Sequence, residues 1–189
     1  MRYLISVLFA PRETFKLVRE KVDWVSPVLV LGLLTALYQM VLGQSEFTLS
    51  TLLTFYGMSV LQICLTMLLF GLIMLAVKSM LRATEGTFWQ LCKVKLFSLA
   101  PNLLYFLWKF ILLLVAGVSD VAVDDQSGML LATAMIVVDL ILGVVTAVWS
   151  VYLLVIGASV TIGKSGDAVF GRLAIICVIF LAISLLVSL

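Results

Sequence analysis

Histidine is absent from the 189 residues. Its absence excludes an imidazole acid or base, a Ser-His-Asp triad and His-ligated zinc or haem. Cysteine is scarce: Cys64, Cys92 and Cys177 lie far apart, without CxxC spacing, and read as free thiols acting as small hydrophobes. Charged residues make up only 12%, against about 25% in a soluble domain. The net charge of +2 is too small to indicate a nucleic-acid partner.

Apolar side chains fill the space. Hydrophobic residues make up 64%, and the mean hydropathy is +1.28. A chain of 20.7 kDa has too little interior to hide that much apolar surface. The composition therefore excludes a water-soluble enzyme and a disordered segment, and it points to an integral membrane protein.

A span needs roughly 20 apolar residues to cross about 30 Å of hydrocarbon. That rule predicts an all-α polytopic fold with five transmembrane helices, at about 25–43, 52–77, 96–117, 129–156 and 172–189. The second and fourth exceed the bilayer's need, so they are expected to tilt or protrude. The first begins at Pro27, where a missing N–H costs little. Ahead of it, residues 1–24 hold a short apolar run, Tyr3 to Ala10, that lacks the length and cleavage site of a signal peptide. Residues 1–24 form one unit and 25–189 the five-span domain.

Positive charges set the orientation. With the N-terminus cytoplasmic, the inner segments hold Arg2, Arg12, Lys16, Arg19, Lys21, Lys78, Arg82, Lys93, Lys95, Lys164 and Arg172. These are eleven of the twelve basic residues. The outer loops hold only Glu46, Asp120, Asp124 and Asp125. This follows the positive-inside rule and leaves the C-terminus outside.

Two inner segments read as amphipathic interfacial helices. In 12–25, Phe15, Val18, Val22 and Val25 form an apolar stripe beside Arg12, Lys16 and Arg19, with Trp24 as an interfacial aromatic. In Thr87 to Lys95, Thr87 and Gln90 have capping-box spacing, followed by Phe88, Trp89 and Leu91 as anchors. Either these helices only orient the spans they precede, or they form a cytoplasmic docking face for a partner or lipid headgroups.

The opening LFAPRETFKLVREKVDWVSPVLV resembles the start of Yip1-domain proteins, where a Pro-x-x-x-Phe surface helix leads into a first span begun near a proline. FWQLCKVKLFSLAPNLLYFL is similar to that family's third span, with Pro101 near its beginning. VWSVYLLVIGASVTIGKSGDAVFGRLAIICVIF resembles its end, a Trp-bearing fourth span joined to a short final one by a Gly-rich turn. The resemblance covers nearly the whole chain and implies a five-span bundle with a cytoplasmic N-terminus. Eukaryotic members act in vesicle traffic with Rab-type GTPases through a long N-terminal region. With about 24 residues before the first span, this chain resembles a prokaryotic plasma-membrane member. Some of those accompany membrane transporters, so the resemblance implies a non-enzymatic accessory protein.

Two charges fall inside predicted spans: Lys109 in the third and Asp139 in the fourth. Each costs about 2.5–3.5 kcal/mol near mid-membrane, so neither is expected to face lipid. Both stand equally far from residue 124, so an antiparallel hairpin centred there brings them to one depth. An ion pair is expected. It is either a staple between two helices or part of a polar pathway, with Gln39, Gln62, Thr66, Asn102 and Thr146 as possible lining. Asn102, beside Pro101, is placed to satisfy a carbonyl freed by the proline.

Three motifs are set aside. Gly163-Lys164-Ser165 imitates the end of a P-loop, but the position needing the leading glycine is Ala158. Three aspartates in a solvated outer loop need no metal. Gly32 with Ala36, and Gly143 with Ala147, have a small-xxx-small spacing that serves internal packing as readily as self-association. No metal and no cofactor are expected. The expected partners are the lipid bilayer and other membrane proteins, or a second copy of the chain. The competing reading is a small permease or ion-conducting protein built on Lys109 and Asp139.

Overall fold

The computed structural model describes residues 2–42, 48–119 and 126–187, and every regular element among them is an α-helix. In chain order these are α1 (Arg2–Phe9), α2 (Pro11–Lys21), α3 (Val25–Leu42), α4 (Leu49–Met80), α5 (Phe88–Ser98), α6 (Ala100–Ser119), α7 (Gln126–Ile162) and α8 (Gly166–Val187). Glu46, Asp120, Asp124 and Asp125 lie outside the described residues.

Local chemistry sets the joints. Ala10 leaves the helical region, with φ −134° and ψ 65°, and Pro11 restarts the chain as the first residue of α2. The stripe predicted over 12–25 is interrupted. Val22 is extended after Lys21, and the Asp23 carboxylate accepts from the Val25 N–H at 3.0 Å. That local acceptor offers the backbone an alternative to continued helix. The chain then bends by 119° into α3. At α5, Gln90 N–H donates to Thr87 Oγ1 and Thr87 N–H donates to Gln90 Oε1 at 2.8 Å, a complete capping box.

Pro101 stands in the first turn of α6, after the break at Leu99, so it removes no interior helical bond. The role read for Asn102, capping a carbonyl freed by that proline, therefore does not arise. Asn102 N–H donates to Leu99 O instead. Gly163 ends α7 with a positive φ of 71°, and both Gly163 and Lys164 N–H donate to Ser159 O. Ser165 Oγ accepts from Ala168 N–H at the start of α8. Gly163-Lys164-Ser165 is thus a helix–turn–helix joint.

Among the described residues, three helical stretches are long and apolar enough to cross a membrane: Leu49–Met80, Phe88–Leu112 and Thr133–Ile162. Counting the bent pair Pro11–Glu20 and Val25–Met40 as one gives four. The expected count was five. α4 and α7 have 32 and 37 residues, roughly 48 and 55 Å at 1.5 Å per residue, well beyond about 30 Å of hydrocarbon.

The surplus length is used at one end. The core gathers where α1, α2 and α5 pack on the C-terminal parts of α4 and α7. Phe15 and Val18 of α2 share one buried cluster with Leu91, Val94 and Phe97 of α5, Met74 and Val77 of α4, and Leu153 and Ile162 of α7. At Gly157, an added Cβ would stand 2.7 Å from the Phe15 ring and 2.8 Å from Val94. Only glycine lets α2 and α5 approach α7 so closely. The middle of α7 is bare by contrast: Val137, Leu140, Val144 and Val148 are exposed. A water-soluble bundle does not leave such a girdle open.

Candidate functional site

Lys109, in the middle of α6, donates from Nζ to Asp139 Oδ2 of α7 at 2.7 Å. The neighbouring contacts explain the register. Tyr105, one turn before Lys109, faces Gly143, one turn after Asp139; a Cβ at Gly143 would lie 3.8 Å from the Tyr105 ring. Both cross-helix pairs are equidistant from residue 124, so the antiparallel register holds over at least a full turn. Lys109 Nζ also stands 5.2 Å from the centre of the Tyr105 ring, within cation–π range. From α3, Tyr38 packs against Phe106 with ring centres 5.5 Å apart. Both charged side chains are mostly shielded, at 19% and 26% exposure. Asp139 Oδ1 is buried with no hydrogen-bond partner among the described residues, as is Trp108 Nε1.

The other polar side chains read from the sequence do not converge on this pair. Gln39 accepts from Ser59 Oγ at 3.5 Å and, with Gln62, lines a separate cleft against α4. Thr66 Oγ1 donates to Ile63 O of its own helix. Thr146 Oγ1 donates to Leu142 O and Gly143 O, also of its own helix. Back-bonding of this kind satisfies a hydroxyl without a partner helix.

At the other cluster, the end holding the core, Arg19 pairs with Glu85 at 2.9 Å, and Gln90 Nε2 donates to Arg19 O at 3.2 Å. Lys78 Nζ donates to Gly86 O at 2.7 Å. The loop after α4 therefore closes over α2 and the end of α7. Trp24 and Trp89 stack with ring centres 6.4 Å apart and planes 13° from parallel, and Trp89 is 58% exposed. Arg12 and Lys16 of α2 are also exposed.

Phe15 corrects the sequence reading. It is 1% exposed beneath Gly157 and cannot present itself to a docking partner. Phe88 is also turned inward, onto Gly71. An apolar stripe at helical spacing has the same form whether lipid or protein covers it, so the sequence carried no signal to separate the two. Sequence reasoning also missed α1, whose Leu4 and Val7 are fully buried while Phe9 is 84% exposed. The i, i+3 spacing of Leu4 and Val7 within Tyr3 to Ala10 was the available signal.

Among the described residues no group of His, Cys, Asp and Glu is placed to hold a metal ion. The three cysteines are free.

A family model described as the Yip1 domain matches residues 5–189, nearly the whole chain. No curated protein and no solved structure matches it. With apolar helices long enough to span a bilayer and a family match of this extent, the chain belongs to the Yip1-domain family of membrane proteins.

Proposed function

We propose that this protein is a non-enzymatic, five-span organiser of other membrane proteins, a transporter complex being the class of partner, in a prokaryotic plasma membrane. Its N-terminus and the basic cap of α1, α2 and α5 face the cytoplasm, and its C-terminus lies outside. On this reading α3, with 18 residues, and α8, with 22, are the first and last of the five spans. The carrying observation is the division of polar groups. Lys109 and Asp139 Oδ2 pair with each other, and the threonines bond within their own helices. Arg12 and Lys16, without an ion-pair partner among the described residues, and the stacked Trp24 and Trp89 sit on the surface of the cap. That is the arrangement of a stapled bundle with a docking face at one end.

The bare Asp139 Oδ1 favours a second reading, a small permease or ion-conducting protein in which that oxygen binds a passing cation or proton. Affinity capture in mild detergent separates the two. The organiser reading expects a specific membrane-protein partner that is lost when Trp89 and Lys16 are replaced by alanine. Absence of such a partner, together with ion flux from the purified protein in vesicles, reverses the ranking.

A further inference from the structure

An apolar groove of about 720 Å³ is bounded by α1, α6, α7 and Leu34 of α3, and walled by Phe9, Leu104, Phe110, Val145 and Trp149. Its one hydroxyl, Thr146 Oγ1, is already bonded to its own helix. From Pro101 to Phe110 the groove follows ten residues of α6, a rise of roughly 14 Å over the nine steps at 1.5 Å each, against about 15 Å for half of a 30 Å hydrocarbon core. It is one leaflet deep, and its far end lies beside Lys109.

At the near end stands a second, smaller hollow of about 290 Å³, lined by Ala10, Pro11, Arg12, Glu13, Tyr152 and Ile156. The two are neighbours. Phe9 continues into Ala10, and the Trp149 and Tyr152 rings touch edge to face at 6.2 Å. Arg12 and Glu13 are both exposed, and neither has an ion-pair partner among the described residues. A cation and an anion side by side, above an apolar slot one acyl chain long and beside two interfacial aromatics, match a zwitterionic headgroup. A purely anionic headgroup would meet repulsion from Glu13.

We propose that the groove is a specific site for one aminophospholipid of the cytoplasmic leaflet, its phosphate on Arg12, its ammonium group on Glu13 and one acyl chain along α6. The leaflet rests on the orientation proposed above; the site itself does not.

The test is native mass spectrometry of the purified protein in mild detergent carrying equimolar phosphatidylethanolamine and phosphatidylglycerol with matched acyl chains. Wild type is expected to retain one phosphatidylethanolamine, favoured about five-fold or more. Arg12→Gln weakens its retention about five-fold, the worth of one headgroup charge contact. Glu13→Gln keeps a lipid but erases the preference. Val145→Trp fills the groove at a half-exposed position and retains neither lipid, with unchanged helicity; Leu104→Trp, equally exposed, stands in if that variant does not fold. Equal retention of the two lipids by wild type, or a lipid retained in the filled groove, overturns the proposal. So does a dimer that Val145→Trp dissolves while no lipid is bound. Partner capture and flux are read separately, so a failure here leaves the organiser reading standing.

Discussion

Lys109 Nζ lies 2.7 Å from Asp139 Oδ2, at the same register that sets Tyr105 against Gly143. Two helices are thereby fixed in depth and rotation by a single pair of charges in otherwise apolar surroundings. Removing one member leaves the other uncompensated, whereas removing both leaves two apolar surfaces that still pack. Lys109→Met or Asp139→Leu alone is expected to lower stability by about 2–3 kcal/mol, and the double variant by less than either single change. Unfolding in mixed detergent micelles measures all three; additive losses would remove the staple.

The close approach at Gly157 makes a second expectation. A methyl group there would overlap the Phe15 ring and Val94, both inside the core of the cap. Gly157→Ala is expected to cost about 1–3 kcal/mol. Adding Phe15→Leu should recover part of it, by making room. A thermal melt followed by helical circular dichroism reads both variants, and a neutral Gly157→Ala would show that α2 shifts freely on α7.

The two contacts around α5 should differ in weight. Thr87 closes a capping box, so Thr87→Ala is expected to cost about 1 kcal/mol. The Arg19–Glu85 pair is open to solvent, at 32% and 53% exposure. Glu85→Gln is expected to cost under about 0.5 kcal/mol and to grow milder still in high salt. Parallel melts at low and high ionic strength separate the two.

Orientation is tested by thiol labelling. With Cys64, Cys92 and Cys177 replaced by alanine, a cysteine at Lys164 lies in the exposed turn between α7 and α8. It should react with an impermeant reagent only after cells are opened. A cysteine at Ser45, beside Glu46 in the segment expected outside, should react in intact cells. The reverse pattern would invert the protein and the leaflet of the lipid site.

Much of this architecture is written in the sequence. Long apolar runs announce helices because a backbone in lipid must bond within itself. The capping box is legible in Thr87 and Gln90, since both residues of the motif are local. The equal distance of Lys109 and Asp139 from residue 124 is arithmetic that any antiparallel hairpin obeys. The cap is different. Phe15 lies under Gly157, distant in sequence, and nothing in the spacing of Phe15 and Val18 says whether lipid or helix covers them. The groove was equally hidden, because its walls come from four helices that meet only after folding.

The central claim is that the buried charges hold the bundle together while the protein works through its cytoplasmic face. The most direct measurement is made on the double variant Lys109→Met with Asp139→Leu, by partner capture from membranes and by ion flux in proteoliposomes. The account predicts the same partner at wild-type yield, and no flux from either protein. A folded double variant that has lost a flux the wild type carries would contradict it.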